Sequence, residues 1–305
     1  MPLAPPQVAA TSDGSLVMAD RAHPAALRDY VALTKPRLSA VVLFTTAVGS
    51  WAAGASPLQR ISLLALLGTT IAVAGAQTLN CYLERDLDGL MFRTRNRPLP
   101  AGRVEPRSAL AFGCAVSAIS IPTLYFGTNA LTAALGALAL FSYVFVYTPM
   151  KTRSAWALGV GAIPGALPPL MGWTAVTGRL DAGGLALFAI MFLWQLPHFI
   201  AIALTLKQDY ARAGMKTVPE VVGDRGARVQ AALYTALLVP VSLALVPLHV
   251  AGRGYGVAAI ALGAVFLGWS LLGLRRDPGP RWSRVEFLLS LVYLTGLFGA
   301  LGLRG

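Results

Sequence analysis

The chain has 305 residues, of which 56% are hydrophobic and only 12% are charged. Soluble proteins carry about 25% charged residues, so this composition excludes an ordinary soluble enzyme and indicates an integral membrane protein. A net charge of +12 can indicate nucleic-acid binding. Here the basic residues gather in the loops of one membrane face, and we therefore predict no nucleic-acid partner.

Residues 1–33 precede the first long apolar block and lack the apolar core that a signal peptide needs. We expect a mobile cytoplasmic N-terminal tail over 1–33 and a transmembrane domain over 34–305. The chain enters its first span through Thr34-Lys35-Pro36-Arg37.

Apolar blocks of about 20 residues, the length of a helix that crosses a bilayer, recur from Leu38 to Leu303. They do not alternate polar with apolar residues, so helices are favoured over the strands of a barrel. The expected fold is all-α, a polytopic membrane protein with about nine transmembrane helices around a central cavity. The nine predicted helices span 38–55, 61–82, 106–126, 129–148, 156–176, 182–206, 228–249, 254–273 and 284–303.

The distribution of basic residues supports nine spans. With a cytoplasmic N-terminus, all but four of the 25 Lys and Arg residues fall in inside segments, as the positive-inside rule requires. The protein is therefore expected in a bacterial cell inner membrane, with the lipid bilayer as its surroundings. Two long polar loops, at about 83–105 and 207–227, lie on the inside. Long loops commonly carry function, so a site is expected there. The four Lys and Arg residues that fall in outside segments are Arg60, Arg179, Arg253 and Arg304.

Three polar residues spaced four apart, Asn80, Glu84 and Asp88, run from the end of the second predicted helix into the first long loop. On a helix these side chains share one face, where two carboxylates repel each other unless a cation lies between them. Mg²⁺ prefers oxygen ligands and is often shared between carboxylates and substrate phosphates. The spacing therefore predicts a magnesium site, while Asp86 should face elsewhere. A solvated, charged helix end is the alternative.

Basic residues follow directly, at Arg93, Arg95, Arg97 and Arg103. Guanidinium groups bind phosphate oxygens in pairs, so this segment, placed behind the carboxylates, indicates half of a metal–diphosphate site. Basic inside loops that only fix orientation are the alternative.

The second long loop adds Asp209 and Lys216 at the inner end of the sixth predicted helix. Topology allows Asp209 to converge with Glu84 and Asp88 and to hold a second Mg²⁺, although an ordinary helix-end charge cluster is equally compatible. Tyr147 and Lys151 lie at the inner end of the fourth predicted helix. They either extend the phosphate site or anchor the interface.

His198 lies inside the sixth predicted helix, in Trp194-Gln195-Leu196-Pro197-His198-Phe199. An ionisable residue within a span usually faces the protein interior. His198 could approach a heme or accept a proton, and a structural hydrogen bond to a neighbouring helix is the alternative.

These motifs resemble the intramembrane polyprenyltransferase superfamily, which includes the 4-hydroxybenzoate polyprenyltransferases. The resemblance is strongest to its branch of protoheme IX farnesyltransferases, or heme O synthases. Glu84 stands where the superfamily usually has Asp, and Ala157 where an Asn is common. The last three predicted helices carry no motif. The segments that carry the resemblance are 34–37, 80–103, 147–149, 161–173, 194–199 and 209–214.

The resemblance implies farnesyl transfer from farnesyl diphosphate to heme B, with water addition, to give heme O and diphosphate. It implies Mg²⁺ as cofactor and a downstream heme-modifying enzyme as a candidate partner. Prenyl transfer to a phenolic or quinone-precursor acceptor, and a multi-pass transporter, are the alternatives. The implied metal ligands are Glu84, Asp88 and Asp209, with Asn80 completing the catalytic set. The implied substrate contacts are Arg85, Arg93, Arg97, Tyr147, Lys151, His198 and Lys216.

Overall fold

A computed structural model describes residues 8–10, 16–18, 26–275, 278–279 and 281–302. A short antiparallel pair, β1 (Val8–Ala10) and β2 (Leu16–Met18), precedes the helices. A π-helical turn, Ser142–Tyr147, joins α6 to α7, and a 3₁₀ turn, Ala300–Gly302, follows α13. The helices are α1 Leu27–Leu33, α2 Pro36–Ala52, α3 Arg60–Leu83, α4 Arg85–Leu90, α5 Pro106–Gly127, α6 Ala130–Phe141, α7 Thr148–Met150, α8 Ala157–Thr177, α9 Ala182–Thr205, α10 Lys207–Arg212, α11 Val218–Leu243, α12 Arg253–Leu272 and α13 Trp282–Gly299.

Eight of the nine predicted spans agree with a long helix within four residues at each end, when α6, the π-helical turn and α7 are counted as one. The prediction of 228–249 was wrong at both ends, because α11 spans Val218–Leu243 and begins within the segment expected to be a polar loop. Seven of the described helical segments are long and apolar enough to cross a membrane. An eighth is added if α1 and α2, which meet at a bend of 52°, form one span. Helix α8 falls outside this set, and glycines and prolines make up much of its sequence. Apart from the short β1–β2 pair, the regular elements of the described residues are helices, so the prediction of an all-α, multi-pass membrane fold is confirmed, with seven or eight candidate spans against the nine predicted.

Helix α1 lies inside the range that we expected to be a mobile tail. Leu33 is fully buried and the side chain of Asp29 is almost so. Leu33 packs with Cys81 and Leu99, among other apolar residues near the inner ends of α3 and α5. The end of the expected tail is therefore packed on the domain, while the domain boundary itself stays a prediction.

Helices α8 and α9 occupy the middle of the bundle. Helix α8 contacts α2, α3, α6 and α9, and α9 also contacts α11 and α13. The approach of α2 to α8 is very close, because a Cβ at Gly49 or Gly172 would overlap the backbone carbonyl of Pro169 or Thr46, respectively. Small residues permit this backbone-to-backbone packing, which is the usual way that membrane helices associate.

Candidate active site

A cavity of about 210 Å³ lies at the end of the bundle where α4 and α10 are found. Five cationic side chains line it, against two carboxylates, so the cavity has an excess of positive charge. An anion with several negative charges suits it. Its charged lining residues are Lys35, Glu84, Asp88, Arg93, Arg97, Lys151 and Lys216.

Asn80, Glu84 and Asp88 share one face, as their spacing predicted. Helix α3 ends at Leu83, but the hydrogen bonds continue across the break, from Glu84 N to Asn80 O (2.9 Å) and from Asp88 N to Glu84 O (2.7 Å). All three side chains are buried and line the cavity. Asp86 points outward with 85% of its side chain exposed, so the prediction that it faces elsewhere is confirmed.

Glu84 pairs with Lys151 in the lining of the cavity. Glu84 Oε1 lies 2.6 Å from Lys151 Nζ, in an ion pair that lacks the alignment of a hydrogen bond. Lys151 Nζ also lies 4.5 Å from the centre of the Tyr147 ring. Burial lowers the pKa of Lys151, but the neighbouring Tyr147 and Glu84 outweigh it, and the net pKa is raised. The shift favours the charged form of Lys151.

The ring of Tyr147 is placed by two local features. The π turn Ser142–Tyr147 brings both Tyr143 and Tyr147 to the cavity wall, and such turns are frequent at functional sites. Gly161 on α8 faces the ring, and any Cβ there would overlap it. The glycine therefore leaves the space that the ring occupies.

Asp88 is held by two residues of the arginine-rich loop that follows α4. Arg97 Nη1 donates to Asp88 Oδ2 at 2.7 Å, and Thr94 Oγ1 donates to the Asp88 carbonyl at 2.8 Å. Asp88 Oδ1 is buried and has no hydrogen-bond partner among the residues that the structure describes. An unpaired buried carboxylate oxygen is costly, and a divalent cation would satisfy it. The oxygen donors of Glu84 and Asp88 therefore fit a hard cation such as Mg²⁺.

Lys35 belongs to this site, although the sequence analysis did not single it out. Its Nζ donates to Asn80 Oδ1 at 2.8 Å, and Asn80 Nδ2 in turn donates to Thr148 Oγ1 at 3.1 Å. The available signal was a lysine placed directly before the first long span, inside the motif 34–37.

Asp209 takes a different place from the one expected. Its carboxylate accepts a long hydrogen bond from the Arg93 amide (3.4 Å) and pairs with Arg212 (3.4 Å). It lies at the same end of the bundle but does not line the cavity, whereas Tyr210 does. Over the described part of the chain, no group of three metal-binding side chains forms. Asp209 does not join Glu84 and Asp88 in such a group, because its carboxylate accepts from the backbone amide of Arg93 in the loop after α4.

The remaining basic candidates divide into two groups. Arg93 and Lys216 line the cavity, and the amide of Lys216 donates to the Lys151 carbonyl at 2.8 Å. Arg85 does not line it: its guanidinium donates to the Tyr82 carbonyl at 2.9 Å and lies over the ring of that tyrosine. The structure therefore gives no support to a phosphate contact by Arg85.

His198 is buried between α9 and α13 and does not line the cavity. Its Nδ1 lies 2.7 Å from Ser290 Oγ, and the ring stacks on Trp194. Ser290 Oγ donates its only proton to the Phe287 carbonyl at 2.6 Å, so His198 Nδ1 is the donor to Ser290. The alternative of a structural hydrogen bond to a neighbouring helix is confirmed, and a heme contact stays a prediction.

Apolar side chains from α8, α9 and the start of α11 also line the cavity. An apolar chain attached to a bound anion could lie along it. The apolar lining residues include Leu158, Phe199, Ile200, Ala203 and Val218.

Comparison with known sequences finds a matching protein family and relatives that are more than half identical to this chain. A model of the UbiA prenyltransferase family matches residues 42–292. A relative from Myxococcus xanthus (strain DK1622), named protoheme IX farnesyltransferase, is 53% identical over 280 residues, which cover 92% of this chain and 95% of that protein. A relative of the same name from Anaeromyxobacter dehalogenans (strain 2CP-C) is 54% identical, covering 90% and 93%.

Solved structures share the fold at low sequence identity. A structure of digeranylgeranylglyceryl phosphate synthase aligns with a TM-score of 0.76 at 16% identity, over 90% of this chain and 96% of the other. A UbiA homologue from Archaeoglobus fulgidus, bound to GPP and Mg²⁺, aligns with a TM-score of 0.61 at 19% identity, over 90% and 99%.

Proposed function

The chain belongs to the UbiA prenyltransferase family, and we propose that it transfers a farnesyl group from farnesyl diphosphate to a vinyl group of heme B. Farnesyl diphosphate, heme B and water give heme O and diphosphate. The observation that carries this proposal is a cation-rich cavity whose lining also includes apolar side chains from α8, α9 and α11. The relatives named protoheme IX farnesyltransferase, more than 50% identical to this chain, support heme B as the acceptor.

The cationic side chains of the cavity bind the diphosphate. Lys35, Arg97 and Lys151 come from three separate parts of the chain, and Arg93 and Lys216 add to them. Negative charge grows on the diphosphate as the bond to the farnesyl carbon breaks. Fixed cations at that position stabilise the transition state more than the ground state.

Glu84 and Asp88 are the proposed ligands of Mg²⁺. They lie one helical turn apart, and Asp88 Oδ1 has no hydrogen-bond partner in the described structure. When bound, Mg²⁺ would neutralise diphosphate charge and make it a better leaving group. The homologue from Archaeoglobus fulgidus, which binds GPP together with Mg²⁺, supports this assignment. A role for Asp209 as a third ligand stays a prediction and requires its carboxylate to leave the Arg93 amide.

The carbon–oxygen bond of farnesyl diphosphate breaks and leaves a positive allylic carbon. The heme vinyl group bonds to that carbon, and water adds to the resulting cation as a hydroxyl group with release of a proton. The rings of Tyr143 and Tyr147 line the cavity, and aromatic faces stabilise neighbouring cations. Phe199 and Ile200 offer an apolar surface to the farnesyl chain.

The two alternative functions are prenyl transfer to a different acceptor and transport across the membrane. A phenolic or quinone-precursor acceptor would use the same diphosphate site, and His198, which bonds to Ser290, does not decide between acceptors. A transporter would not need buried carboxylates and cations gathered at one end of the bundle.

The deciding experiment incubates the purified protein with farnesyl diphosphate and heme B, with and without Mg²⁺, and identifies products by mass spectrometry. A parallel reaction contains 4-hydroxybenzoate in place of heme B. Heme O that forms only with Mg²⁺ supports the proposal. A prenylated phenol without heme O, or no consumption of farnesyl diphosphate at all, would overturn it.

The protein is a multi-pass membrane protein, and we place it in the cell inner membrane with its N-terminus and its cavity on the cytoplasmic side. The excess of Lys and Arg in the inside loops supports this orientation. Heme O is poorly soluble, so a downstream heme-modifying enzyme is the proposed partner that receives it.

A further inference from the structure

We infer that Asp29 and Arg103, neither of which lines the cavity, are positioning residues whose ion pair holds Lys35 and Arg97 in place for the diphosphate. We call the ion pair of Asp29 with Arg103 the clasp. This inference rests on the proposed function for the identity of the ligand.

The clasp joins two segments that the sequence keeps far apart. Arg103 Nε lies 2.9 Å from Asp29 Oδ1, and Arg103 Nη2 donates to the Asn96 carbonyl at 3.0 Å. A single guanidinium group thereby ties helix α1 to the loop residue that precedes Arg97. A planar guanidinium presents its donors in a fixed fork that makes both contacts at once, and a lysine lacks this fork.

On one side, the clasp fixes Lys35. Only Thr34 separates Lys35 from the end of α1, and Lys35 has φ +49° and ψ 62°. A non-glycine residue in this left-handed region is uncommon and persists where its surroundings hold it. Those surroundings are α1 itself, docked by the buried Leu33 and by the edge contact of Tyr30 with Phe112.

On the other side, the clasp fixes Arg97. The Arg103 amide donates to the Pro98 carbonyl at 2.9 Å, so both ends of Arg103 hold residues adjacent to Arg97. Arg97 in turn donates to Asp88. Loss of the clasp would therefore displace two cations that line the cavity.

A consequence follows for the two substrates. Lys35 and Arg97 are proposed to bind the diphosphate and not the acceptor. Loosening them should weaken the use of farnesyl diphosphate and leave the affinity for heme B unchanged. A purely structural role would instead lower the amount of active enzyme, which reduces kcat without changing either KM.

The test compares Asp29→Asn, Arg103→Gln and the double variant. We expect each single variant to lower kcat/KM for farnesyl diphosphate by about tenfold, since misplaced binding groups cost this much or more. The KM for heme B should stay within about twofold of wild type. Because the two residues act as a unit, the double variant should be no more than about twofold worse than either single variant.

A matched control is Asp224→Asn. Asp224 pairs with Lys207 at 2.8 Å and neither residue lines the cavity. An exposed pair of this kind contributes little, so this variant should behave as wild type. The inference is overturned if Asp29→Asn matches the control, if the single effects multiply in the double variant, or if the KM for heme B rises equally.

A second readout separates this inference from the proposed function. Binding of inorganic diphosphate in the presence of Mg²⁺, measured by calorimetry, does not involve the acceptor. A Kd raised about tenfold in Asp29→Asn supports the clasp even if the wild-type protein makes no heme O. An unchanged Kd overturns the clasp whatever the reaction turns out to be. If Asp29→Asn fails to fold, Arg103→Lys, which keeps the charge and loses the bridge to Asn96, carries the same test.

Discussion

Replacing Asp88 by asparagine removes one negative charge from the cavity and keeps the shape of the side chain. Arg97 can still donate to the remaining amide oxygen, and Thr94 still bonds to the backbone carbonyl of residue 88. The local fold should therefore survive. What is lost is the buried carboxylate whose Oδ1 has no hydrogen-bond partner among the described residues, and with it one of two proposed Mg²⁺ ligands.

The size of the effect follows from the role assigned to that charge. Removing one group that stabilises charge in a transition state costs about 2.7–4 kcal/mol, or about 10²–10³ in kcat. The Asp88→Asn variant should therefore lose at least about a hundredfold in heme O formation. Because a ligand is removed, the Mg²⁺ concentration for half-maximal activity should also rise by more than about tenfold.

The assay measures heme O by liquid chromatography from heme B and farnesyl diphosphate over a series of Mg²⁺ concentrations. Asp224→Asn is the control, since it also removes one carboxylate, in this case from α11 and outside the cavity. A variant at position 88 with wild-type turnover and a wild-type Mg²⁺ requirement would refute the metal-binding role. Loss of activity without a change in the Mg²⁺ requirement would refute it as well.

The remaining predictions concern packing around the cavity and between helices. Gly161→Ala should push the Tyr147 ring out of its place, cost about 1–3 kcal/mol of stability and raise the KM for farnesyl diphosphate. Gly159→Ala on the same helix, where nothing lies near the added Cβ, should do neither, and equal kinetics of the two variants would contradict the reasoning. Ser290→Ala should leave the His198 Nδ1 proton unpaired and lower the free energy of unfolding in detergent by about 1–3 kcal/mol. Unchanged thermal unfolding would show that this hydrogen bond contributes nothing.

Local periodicity was sufficient to predict part of the site. The spacing of Asn80, Glu84 and Asp88 predicted a shared face, because helical hydrogen bonds link residues four apart whatever packs around them. The same bonds carry the face across the break at Glu84. The outward direction of Asp86 followed from the same geometry. The helical spans were predictable because a bilayer core sets their length and composition.

Long-range packing decided what periodicity could not. Charge and position made Asp209 and Arg85 candidates for the cavity. In the structure, however, Asp209 accepts from the Arg93 amide, and Arg85 donates to the Tyr82 carbonyl. Lys35 entered the site because α1 docks against the inner ends of α3 and α5 and turns the lysine toward Asn80.

The sequence by itself determined a helical membrane protein, the face that carries its carboxylates and the end of the bundle at which the site lies. Only the tertiary structure decided which charges meet, as in the pairs of Glu84 with Lys151 and Asp88 with Arg97. The physical reason is range: backbone geometry relates residues within a few turns, whereas contacts between helices depend on close packing at positions such as Gly161 and Gly172.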